Sequence, residues 1–197
     1  MGASGFGPLL NAAAGDAAAT HQAFAERAAE PAARAAGVIR DAVRAGRTVL
    51  VFGNGGSATD AQHLAAELVV RFTRARRAVA ALALTTDGAV LTAAANDLGF
   101  DAVFARQIEA LGRTGDVAVA ITTSGRSANV TAAVKAARAG GLTVVALTGR
   151  GGGDLVGLAD VLVDVPSGVT ARIQEVHRLW IHAVCDWIEQ DLSSGTN

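Results

Sequence analysis

Five short apolar runs separated by segments of helical character constrain this chain more than any other feature. They cover residues 48–52 (TVLVF), 79–84 (VAALAL), 117–122 (VAVAIT), 143–147 (TVVAL) and 161–165 (VLVDV). Each is too short and too β-branched for a helix, and none alternates strongly with polar residues, so each strand must be covered on both faces. The segments between them supply the cover: helices are predicted over 58–72, 88–96, 101–112, 127–139, 153–159 and 170–192. Residues 8–46 are Ala-rich, with Leu9, Leu10, Phe24, Val38, Ile39 and Val43 at helical spacing. Pro31 suits the first turn of a second helix, so two helices precede the sheet. The expected fold is α/β, a single-domain three-layer αβα sandwich around a five-stranded parallel sheet with right-handed crossovers.

A length of 197 residues fits one domain. Its expected extent is 9–192, with residues 1–8 and 193–197 as flexible ends. The net charge of −1 gives no electrostatic footing for nucleic acid or an anionic membrane surface. Although 51% of the residues are hydrophobic, no run approaches the ~20 that a membrane helix needs. Cys185 is the only cysteine, which excludes an intrachain disulfide. The first residues show neither the basic-then-apolar order of a secretory signal nor, with Phe6 in place of Ser or Thr, a myristoylation motif. A cytoplasmic location is expected.

In open α/β sheets ligands bind beyond the carboxyl ends of the strands. The first run leads into Gly53-Asn54-Gly55-Gly56-Ser57 and then a helix, a loop that lets backbone N–H groups approach an anion, with Ser57 as the expected cap. The same stretch fits G-x-G-x-x-A through Gly53, Gly55 and Ala58. The acidic residue that a dinucleotide site needs about 20 residues on is missing, however, since Asp87 lies 34 residues beyond Gly53. The third run leads into Thr122-Thr123-Ser124-Gly125-Arg126-Ser127. Helix capping accounts for one of these hydroxyls but not for four, and the loop reads as a phosphate cradle that needs no lysine.

Further on, His63 and Glu67 share a helix face with Asp60 one turn earlier, and together they could bind a metal. The last helix carries Gln174, Glu175, His177, Arg178 and His182 in an otherwise apolar setting. Glu175 and His182 share a face, Gln174 diverges from His182 by about 80°, and spacing does not choose between Gln174 and Glu175. His21 and His177 read as surface or satisfied core residues.

These motifs, in this order, with Ala66-Glu67-Leu68, Asn96-Asp97 and Arg172-Ile173-Gln174-Glu175, resemble the phosphoheptose isomerase branch of the sugar isomerase (SIS) family over residues 10–192. The resemblance implies a flavodoxin-like fold and interconversion of D-sedoheptulose 7-phosphate and D-glycero-D-manno-heptose 7-phosphate, at sites built between subunits of a homotetramer. It implies sugar and phosphate contacts at Asn54, Gly55, Gly56, Ser57, Glu67, Asn96, Asp97, Thr122, Thr123, Ser124, Ser127 and Gln174. It also implies zinc ligands at His63, Glu67, Gln174 and His182, and acid–base catalysis by Glu67 and His182. Two departures stand out: Thr122 replaces a Ser, and Ala58-Thr59 replaces a His-Cys pair of some members. A non-catalytic relative that partners the bacterial replication initiator lacks the groups corresponding to Glu67 and His182. Both are present here, which favours the enzyme over a binding module, while a different sugar phosphate stays open as substrate.

Overall fold

The computed structural model describes residues 5–194. Its strands are β1 (Val49–Gly53), β2 (Ala81–Ala83), β3 (Val117–Ile121), β4 (Thr143–Gly149) and β5 (Val161–Val165), all parallel and ordered β2-β1-β3-β4-β5. The helices are α1 (Phe6–Arg27), α2 (Ala29–Arg44), α3 (Gly56–Val69), α4 (Gly88–Leu98), α5 (Ala105–Leu111), α6 (Ala128–Ala139) and α7 (Thr170–Ser194). Successive strand residues point to opposite faces, which divides the core in two. Val49, Val51, Val119 and Leu147 pack with Ile39, Leu64 and Ile181 from α2, α3 and α7. Leu50, Phe52, Ala120 and Val144 pack with Ala94, Ile108 and Val134 from α4, α5 and α6. The three-layer sandwich expected from the sequence follows.

The differences in the elements have local causes. The run at 79–84 yields only a three-residue strand, because β2 is an edge strand paired on one side and Leu82 is 41% exposed. The segment at 101–112 divides into a 3-10 turn at Phe100–Ala102 followed by α5. The helix expected at 153–159 shrinks to a 3-10 turn at Gly153–Leu155, since Gly151, Gly152 and Gly153 all take positive φ, which a right-handed helix does not accommodate. Pro31 lies in the first turn of α2, as expected. Residues 6–8 and 193–194, expected in flexible ends, extend α1 and α7; residues 1–4 and 195–197 lie outside the described residues. Helix α1 buries only Phe24. Among the described residues no helix is long and apolar enough to cross a membrane.

Candidate functional site

In this strand order the chain turns opposite ways on leaving β1 and β3, so the crevice between those two strands is the topological switch point. Gly53 ends β1 in register with Ile121, which ends β3, and the two loops singled out from the sequence leave the sheet side by side. A Cβ on Gly53 would fall 2.5 Å from the Ile121 carbonyl oxygen and 2.9 Å from Ser57 Cβ, so only glycine permits this approach. The loops are also joined through side chains. Asn54 Nδ2 donates to Asn129 Oδ1 at 2.8 Å, and Asn129 Nδ2 donates back to Asn54 Oδ1 at 2.9 Å.

Within the 122–127 loop, Thr122 Oγ1 accepts from the backbone N–H of Ser124 and of Gly125, and Ser124 Oγ accepts from that of Arg126. Ser127 occupies the N-cap position of α6, yet its side chain makes no capping bond. The loop is pinned by the 3-10 turn that follows β4: Asp154 N donates to Gly125 O at 2.9 Å, and a Cβ on Gly125 would collide with Gly152 O. On the first loop the expected cap differs, since Gly55, at φ 56°, holds the N-cap position of α3 and Ser57 is buried inside the helix. Positive φ there suits glycine and leaves Ser no role as cap.

A second cluster lies between α3 and α7. His63 Nε2 is 3.2 Å from Glu67 Oε1 and 3.1 Å from His182 Nε2. The His63 and Glu67 side chains are 29% and 23% exposed, open enough for a small ligand. The His63 and His182 rings lie 4.9 Å apart, and Phe72 stacks on the other partner, 5.5 Å from the His182 ring at 27°. Among the described residues no three His, Cys, Asp or Glu side chains enclose a common metal position. The donor chemistry nonetheless fits zinc: two imidazoles and a carboxylate form a familiar catalytic set. Ligands of one tetrahedral ion stand about 3.4 Å apart at zinc–nitrogen distances near 2.1 Å, close to the separations around His63.

Gln174 is not in this cluster. Its amide packs against Gly56, where a Cβ would sit 2.4 Å from Nε2, and eight residues of helix carry it about 12 Å along α7 from His182. Gln174 instead lines a cavity of about 290 Å³ with Gly56, Thr59, Asp60, Glu175 and Arg178. Asp60, expected beside His63, is buried and accepts from Arg178 at 2.6 Å. Glu175 is held by Arg172, which also donates to Ala13 O in α1. Asn96 and Asp97 sit exposed near the end of α4, joined to each other at 2.7 Å. His21 bonds to Ala17 O inside α1, and His177 is a buried core residue. A larger cavity of about 590 Å³ at the β2 edge contains none of the candidate site residues in its lining.

With this geometry in hand, comparison with known families finds the SIS domain matched over residues 14–149. The chain belongs to the SIS domain family. A phosphoheptose isomerase from Paramagnetospirillum magneticum is 59% identical over 160 residues, covering 81% of this chain and 83% of that one. The solved phosphoheptose isomerase of Neisseria gonorrhoeae superposes with a TM-score of 0.89 at 46% identity, covering 94% of this chain and 99% of the other. That of Francisella tularensis gives 0.89 at 38% identity, over 93% and 97%. The resemblance read from the sequence is thereby borne out, as are the SIS fold and the flavodoxin-like strand order. Sequence reasoning passed over Asn129, Phe72, Arg76 and Glu189. An Asn two residues into a helix and an acid at the end of one carry no distinguishing local pattern, and their roles exist only through partners 75 or more residues away.

Proposed function

We propose that this chain is a phosphoheptose isomerase that interconverts D-sedoheptulose 7-phosphate and D-glycero-D-manno-heptose 7-phosphate. The observation that carries the reading is the meeting of Glu67, His63 and His182 across α3 and α7. A sugar-phosphate sensor or scaffold needs the phosphate loop but has no use for an apposed carboxylate and imidazole pair.

The phosphate sits on the 122–127 loop and the α6 N-terminus, where hydroxyls, backbone N–H groups and the helix dipole favour an anion. Asn54, Gly55, Gly56 and Ser57 hold the sugar, and Gln174 faces it from α7. Of Glu67 and His182, one removes the C1 proton and returns it to C2 of the enediolate, while the other moves a proton between O1 and O2. His63, Glu67 and His182 are the residues that would hold zinc, which when bound would stabilise the enediolate oxyanion.

Two spacings support sites completed by a second copy of the chain in a homotetramer. Glu67 stands about 16 Å along α3 from Gly56, and Gln174 about 12 Å along α7 from His182, so Gln174 would join the ion of a neighbouring subunit. Asn96 and Asp97, exposed on α4, would likewise serve a neighbour's substrate. The enzyme acts in the cytoplasm on this reading.

The test is conversion of sedoheptulose 7-phosphate by the purified protein, compared with Glu67→Gln and His182→Asn. Each substitution is expected to lower kcat by roughly 10²- to 10⁴-fold with the melting temperature preserved. Full activity in both variants overturns the assignment.

A further inference from the structure

The segment between α3 and β2 holds a buried ionic network that the isomerase chemistry does not use. Glu189, on α7, is one of the few charged residues sealed in the core; its side chain and that of Arg76 are each 1% exposed. Its carboxylate accepts three consecutive backbone N–H groups, those of Phe72 at 2.6 Å, Thr73 at 2.8 Å and Arg74 at 2.7 Å. Arg76 Nε lies 3.2 Å from the same carboxylate. From there the Arg76 guanidinium donates to the carbonyls of Glu67 and Leu68, the latter at 2.8 Å, satisfying oxygens that the last turn of α3 leaves unpaired.

Two of the peptide groups so fixed belong to residues next to the proposed chemistry. Glu67 is the proposed acid–base carboxylate, and Phe72 carries the ring stacked on His182. His182 and Glu189 are seven residues apart on α7 and share a face, so the helix that presents the imidazole also anchors the loop that covers it. Burying a carboxylate and a guanidinium is costly, and replacing such a pair with apolar residues is often neutral or stabilising, so stability alone accounts poorly for it.

We infer that Phe72 is a positioning residue for the isomerisation, held by Glu189 and Arg76 so that its ring fixes the His182 imidazole against His63 and Glu67. None of the three needs to touch the substrate; they act through His182 and through the α3 peptide that bears Glu67. The inference deepens the isomerase reading and rests on it for its kinetic consequence.

The experiment compares Phe72→Leu and Phe72→Tyr with the wild-type protein, with Glu189→Gln as a more disruptive third variant. Kinetics with sedoheptulose 7-phosphate are measured alongside the melting temperature and the His182 Cε1–H resonance. Phe72→Leu is expected to lower kcat on the order of 10- to 100-fold, the cost of a small misplacement of a reacting group, with KM within about twofold. The His182 resonance shifts as the ring current is lost, and Phe72→Tyr restores both kcat and the shift. A kcat for Phe72→Leu within about twofold of wild type overturns the inference, as does a His182 resonance that stays in place. If the wild-type protein fails to turn over the heptulose phosphate, the isomerase reading falls separately, and the His182 resonance still decides whether Phe72 fixes the ring. Glu189→Gln is expected to reproduce the Phe72→Leu kinetics if it folds; should it not fold, the Phe72 pair decides alone.

Discussion

His177 lies under the sheet's carboxyl end, 1% exposed, with Nε2 donating to Thr148 O at 3.0 Å and Nδ1 buried without a partner. Burial holds this imidazole below its ordinary range, outweighing the Thr148 carbonyl and the more distant Asp60 and Asp164, which favour the charged form. In the unfolded chain the ring takes a proton near pH 6.5, while in the folded chain it resists, so protons favour the unfolded state. The stability contributed is therefore complete above about pH 6.5 and is lost as pH falls toward the depressed folded value. Denaturant unfolding at pH 7.5 and 5.5 should show lower stability at the acid pH, and His177→Leu should flatten the difference even if it is less stable at pH 7.5. An unchanged slope in the variant would assign the acid sensitivity to other groups. Glu189 adds to it in the same direction at lower pH. Its burial pushes the carboxyl up, but the N–H groups of Thr73, Arg74 and Phe72 and the Arg76 charge together hold it below the ordinary carboxylate range. The sequence left His177 open between a surface and a satisfied core residue, and the structure puts it in the core with one ring nitrogen unpartnered, whereas nothing local marked Glu189.

At the scale of elements, capping chemistry explains where sequence and structure part. Asp87, met first as an unconvincing ribose ligand, is the N-cap of α4, its Oδ1 accepting from Ala89 N and Val90 N at 3.0 Å each. Asp87→Ala should lower stability by about 1 kcal/mol, seen as a lower melting temperature with kcat little changed. A large loss of activity without loss of stability would instead make Asp87 part of the site. Helix α3, expected from residue 58, begins at Gly56 because Gly55 supplies the left-handed turn that starts it. It ends at Val69 rather than 72, where Arg76 takes the carbonyls of its last turn and Glu189 the N–H groups of residues 72–74. Strand periodicity was legible because a buried parallel strand leaves its mark in consecutive residues. Helix ends were less legible, because their caps come from residues distant in sequence or from backbone angles.

For the whole molecule, Gln174 and His182 of the proposed site stand about 12 Å apart along α7, and the proposed homotetramer would unite the two parts. Light scattering should give a tetramer. Mixing Glu67→Gln with Gln174→Leu subunits, each inactive alone, should recover up to about a quarter of wild-type activity, because random assembly pairs intact residues in one site out of four. No recovery in verified mixed tetramers would place both residues in one chain's site. If zinc is held as proposed, extended treatment with a chelator should lower kcat, and added zinc should restore it. The sequence alone determined the parallel three-layer fold, the two loops at the switch point, and the presence of Glu67 and His182. Those properties are written in runs, turns and short spacings along the chain. Only the tertiary structure decided that His63 and His182 come within 3.1 Å, that Asn54 and Asn129 join the loops, and that the Gln174 amide packs against Gly56. Each of these depends on how elements far apart in the chain pack, and packing is fixed by the folded core as a whole.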